Sequence, residues 1–151
     1  MSPFRRFLAL ALSSVAVVAV GLAGPLALAQ APASVTVSAT LDEVRAVVLS
    51  DGKAGIDVVV QVRLEGWTQP SFPQVSGRLA AFTPSGERVL EPIEVEVVEP
   101  ASASEAVVRL RFERIEESPF MTAFVGLPAD AEAGYDEVWT GVIFAASDIE
   151  G

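Results

Sequence analysis

The chain has 151 residues, 10 of them Lys or Arg and 20 Asp or Glu, with no His and no Cys. That length suits one domain of ordinary size. The missing side chains exclude disulfides, Cys-ligated zinc or iron–sulfur centres, a thiol nucleophile and a Ser–His–Asp triad, and a net charge of −10 repels phosphate backbones, so no nucleic-acid partner is expected.

Arg5 and Arg6 precede Phe7 to Ala29, a run of 23 uncharged residues. Positive charge, then an apolar run, then small residues is the order of a secretory signal peptide. Ala27-Leu28-Ala29 supplies the small–x–small cleavage pattern and places the cut before Gln30. The alternative is an uncleaved anchor, since about 20 apolar residues span a bilayer; this is the one membrane contact expected. Residues 1–29 are therefore predicted as a signal peptide and 30–151 as a single domain, exported to the periplasm or the extracellular space. Removing Arg5 and Arg6 leaves 8 basic and 20 acidic residues, a balance of −12 over residues 30–151.

From Ser34 onward the apolar residues recur with period two, which predicts strands. Val35, Val37, Ala39 and Leu41 share one parity, and the pattern then flips to Val44, Ala46 and Val48. That flip predicts a bulge near Asp42. Ser50-Asp51-Gly52-Lys53 is a hairpin signal, and Val58, Val60, Val62 and Leu64 continue the alternation beyond it. Arg78 to Thr83 turns at Pro84-Ser85-Gly86 and returns through Arg88 to Leu90. Ile93, Val95 and Val97 alternate with Glu94 and Glu96; Val108, Leu110 and Phe112 alternate with Arg109, Arg111 and Glu113. Pro119 to Gly126 and Glu137 to Ala146 complete the set. Val138 to Phe144 is apolar on both parities and reads as a central strand.

Prolines at 70, 73, 84, 92, 100, 119 and 128 leave no room for long helices. The expected fold is all-β: an antiparallel sandwich of the immunoglobulin-like or fibronectin-like kind with about 7–9 strands. A small closed barrel is the alternative.

Candidate sites are sparse. Trp67 and Phe72 stand among prolines in Gly66 to Pro73, where a stiff aromatic loop could grip a partner or stack on a sugar; Tyr135 is a third candidate ligand-binding aromatic. Asp130, Glu132, Asp136 and Glu137 surround Gly134 and could offer oxygens to Ca²⁺, without the order of an EF-hand loop. Arg109, Arg111 and Arg114 read as a row paired with Glu94 and Glu96 on a neighbouring strand. No catalytic residue is assigned and no cofactor is expected. The leading expectation is a noncatalytic module of the cell envelope that binds a protein partner through loops or a sheet edge. The alternative is a carbohydrate-binding module using the loop aromatics.

Overall fold

A computed structural model describes residues 34–132 and 134–151; the expected signal peptide at 1–29 lies outside the described residues. Eight strands follow in chain order: β1 (Thr36–Val48), β2 (Ala54–Glu65), β3 (Ser76–Thr83), β4 (Gly86–Leu90), β5 (Glu94–Pro100), β6 (Glu105–Glu113), β7 (Phe120–Leu127) and β8 (Val138–Ala145), closed by a 3-10 turn at Ala146–Asp148. They form two four-stranded antiparallel sheets, ordered β1-β2-β6-β5 and β4-β3-β7-β8. Lettered in sequence, the strand orders read A-B-E-D and, with β4 beside C, C′-C-F-G, an arrangement compatible with the expected β-sandwich. The sheets do not close on each other, so the barrel alternative falls.

The alternation explains the layering. Ile56, Val58, Val60 and Val62 of β2 stand opposite Phe112, Leu110, Val108 and Ala106 of β6, all facing inward and buried. From the second sheet, Leu79 and Ala81 of β3 and Met121, Ala123 and Val125 of β7 meet them. Burying each large aliphatic side chain contributes about 1.5–3 kcal/mol, so the four central strands dominate the stability.

The parity flip in β1 is a register shift between Leu41 and Glu43 against β2. The bulge turns Val44 into the core and re-aims the far half of β1. There Glu150 donates its backbone N–H to the Val44 carbonyl at 2.9 Å and accepts from the Ala46 N–H at 2.6 Å. The end of the chain thus covers that stretch of the β1 edge.

One expectation is corrected. The strand at Val138 to Phe144 is an edge strand, paired on one side with β7 alone. Its inward parity, Val142 and Phe144, is buried, whereas Ile143 on the other parity is 71% exposed. Apolarity on both faces marks here a strand with one buried face and one apolar face turned to water.

Candidate functional site

The predicted aromatic loops lie together at one end of the sandwich. The segment after β2 turns at Gly66, whose φ of 87° is left-handed and whose missing Cβ makes room for the Ser34 carbonyl. Beyond β7, Asp130 and Tyr135 exchange backbone hydrogen bonds of 2.9 Å in each direction, with Gly134 at a positive φ inside the turn. That bridge aims Tyr135 inward, where it is only 4% exposed. Its ring stacks on Trp67 at 4.9 Å between centroids, and its hydroxyl lies 2.8 Å from Thr68 Oγ1 and accepts from the Thr68 N–H at 3.3 Å. The hydrogen bond from Thr68 holds the Tyr135 phenol below its ordinary pKa, and burial opposes it. Trp67 donates its indole N–H to the Ser71 carbonyl at 3.0 Å, and Trp67 and Phe72 both pack on the margin of the core.

Trp67 and Tyr135 therefore form one cluster that ties two loops together. Beside them lies a cleft of about 310 Å³ walled by Trp67, Pro73, Leu127, Pro128 and Tyr135. Phe72 borders a separate groove of about 380 Å³ with Pro70, Pro73, Val97 and Pro100. Asp130, Glu132, Asp136 and Glu137 share the neighbouring loop, but among the described residues no three acids converge on a point that could hold a metal ion. The Asp130 carboxylate instead accepts from the Glu132 N–H at 3.1 Å, which shapes the turn.

The outer face of the β1-β2-β6-β5 sheet is polar, and its arginines are held by acids of the same face. Register places Glu94 opposite Arg111 and Glu96 opposite Arg109, and both glutamates pair with Arg109. The sequence pattern did not reveal the centre of this network, Asp57 on β2, which is only 7% exposed. Arg111 grips it with two hydrogen bonds, at 2.7 and 2.9 Å, and Arg109 adds a third at 3.3 Å. Burial pushes the Asp57 carboxyl up, but the hydrogen bonds and charges of the two arginines outweigh it and hold its pKa below the ordinary aspartate value.

The outer face of the β4-β3-β7-β8 sheet has the opposite character. Register aligns Val89, Ala80, Thr122 and Ile143 in one row across all four strands. Phe82 and Phe120 stand one step beyond the last β3–β7 pair, Ala81 and Met121. Phe82 is 74% exposed, Phe120 62% and Val89 50%. Towards the loop end, Trp139 lies flat on Gly126, where a Cβ would collide with its ring, and the Arg78 guanidinium sits 4.8 Å from that ring's centroid. From strand spacing, four strands and three outward rows cover about 400 Å². The exposed apolar side chains fill part of that area, interrupted by Glu87, Arg78 and Thr122, and grouped exposed apolar side chains on monomers are often functional.

None of these outward residues was predicted as a site. The available signal was inverted size on β3, where the inward parity carries Ala81 and the outward parity Phe82. Comparison with known families, curated proteins and solved structures finds no match to this chain.

Proposed function

We propose that this chain is a noncatalytic interaction module of the cell envelope that binds a protein partner through the outer face of the β4-β3-β7-β8 sheet. The observation that carries the reading is the group of exposed apolar side chains in two adjacent rows, Phe82 with Phe120 and Val89 with Ile143, on a face with few charges. An apolar surface held open by a rigid sheet loses little conformational entropy on docking. Aromatic anchors of this kind dominate protein–protein binding energy. The opposite outer face, saturated by its own ion pairs, supplies the contrast that favours one side over the other. Export to the envelope is supported by Arg5, Arg6 and the uncharged run that follows.

The loop aromatics offer less to a sugar. Tyr135 is buried, and Trp67 already has a ring partner and an acceptor for its N–H. The test is affinity capture of a partner from native envelope extract. Replacing Phe82 and Phe120 together by Ser is expected to reduce capture at least tenfold, whereas Trp67→Ala leaves it unchanged. Equal capture by the double variant, or glycan binding lost on Trp67→Ala, refutes the reading.

A further inference from the structure

Four strands stand at sheet edges, and three of them are protected. The β1 edge is bulged at Leu41/Glu43 and covered beyond it by Glu150. The β5 edge has Glu94, Glu96, Glu99 and Pro100 and a register slip between Val97 and Glu99. The β4 strand is only five residues long and carries Glu87 and Arg88. Charges, prolines, bulges and shortness are the devices that deter edge pairing. In contrast, β8 reads Val-Trp-Thr-Gly-Val-Ile-Phe-Ala, with no charge and no proline, and pairs with β7 over its whole length without a slip.

The hydrogen-bond pattern identifies which backbone groups that edge offers. Ala146 donates its N–H to the Pro119 carbonyl at 2.8 Å, so even-numbered residues of this strand turn their backbone towards β7. Odd-numbered residues turn theirs outward. At Ala145 the outward N–H is closed by the Asp148 carboxylate at 2.9 Å. Trp139, Gly141 and Ile143 remain; β1 packs close to β8, yet no hydrogen bond from the described residues reaches their outward N–H and C=O groups. The Trp139 and Ile143 side chains lie on the outer face, so one strand presents an unpaired ladder and an apolar surface together. Exposed acids bracket it, Asp136 and Glu137 at its start and Asp148 just past its end.

We infer that β8 is a strand-addition site, and that its occupant is an extended segment of a protein partner with alternating apolar residues and a Lys or Arg at each end. The inference rests on the interaction-module reading and specifies its mode. Main-chain hydrogen bonds to Trp139, Gly141 and Ile143 give affinity, and alternate side chains reading the outer face give specificity. Charge selects against a second copy of this chain. Antiparallel β8–β8 pairing brings Asp136 and Glu137 of one copy towards Asp148 of the other, between two molecules that each carry a balance of −12 over residues 30–151.

The probe is the peptide Lys-Val-Thr-Val-Thr-Val-Lys, added to isotope-labelled protein and followed by amide hydrogen exchange and chemical shift. Its controls are a Glu-flanked counterpart and a version with Pro at the centre. The expected result is at least tenfold slower exchange at Gly141 and Ile143, with binding at least tenfold tighter than for either control. Ile143→Pro removes an outward donor without touching the β7 ladder, and Ile143→Lys restores an edge charge; each is expected to weaken binding at least tenfold. Unprotected β8 amides, equal binding of the Glu-flanked peptide, or protection that grows with protein concentration in the absence of peptide overturns the inference. Shifts at Phe82 and Phe120 with β8 unprotected overturn strand addition alone and leave the sheet-face reading intact. Failure of that wider reading appears separately, as unchanged partner capture by the Phe82/Phe120 double variant.

Discussion

Asp57 shows how one carboxylate can organise a sheet face. It stands on the outward parity of β2 yet is nearly inaccessible, because Arg109 and Arg111 close over it. Hydrogen bonds to charged groups contribute about 1.5–3 kcal/mol each at most, and partly exposed arginines fall at the lower end of that range. Asp57→Asn is therefore expected to destabilise the protein by about 1–3 kcal/mol, measured by denaturant unfolding. Because the folded pKa of Asp57 lies below its unfolded value, its contribution is fully present above the unfolded pKa, about 3.9, and is lost as pH falls through the folded value. Thermal melts between pH 5 and 2 should accordingly show a shallower acid decline for Asp57→Asn than for the parent. Two glycines give a second comparison at this scale. Gly52 and Gly66 share a φ of 87°, but a Cβ on Gly52 meets nothing while one on Gly66 strikes the Ser34 carbonyl. Both Ala substitutions incur about 1–2 kcal/mol of left-handed strain, and Gly66→Ala is expected to cost measurably more.

Among the elements, the inner alternation was legible and the outer surfaces were not. The parity flip at Asp42 announced the β1 bulge, and the alternation from Ile56 to Leu64 and from Val108 to Phe112 announced the two central strands of one sheet. Glu94 and Glu96 also paired with Arg109 as their alternation implied. The position of β8 was misread because a strand apolar on both parities has two explanations: burial on both faces, or one face buried and one apolar face turned to water. Periodicity cannot choose between them, since neighbour order is a property of the whole sheet. The loop aromatics were opaque for a similar reason. The Asp130–Tyr135 bridge, which turns Tyr135 inward, depends on backbone conformation around Gly134, and no residue type in the loop specifies which way the ring faces. Gly126 offers a test at the level of strand contacts. Its bare backbone seats Trp139, so Gly126→Ala in a Trp67→Phe background is expected to lift the indole, increase acrylamide quenching of Trp139 and cost about 1–3 kcal/mol.

Across the whole molecule, the two outer faces differ in chemical character. One face carries an ion-pair network; the other carries exposed phenylalanines and an edge strand unpaired on one side. A strongly acidic chain keeps such a face soluble through mutual repulsion, and that repulsion is screened within about 10 Å at 0.1 M salt. The same asymmetry is tested by hydroxyl-radical footprinting of the purified protein against the protein in native envelope extract. Phe82, Phe120 and Ile143 are expected to be labelled several-fold less in the extract, with Val48, 80% exposed at the end of β1, unchanged as the internal control. Equal labelling of that face in both samples, or protection at Phe72 and Trp67 instead, would contradict the account.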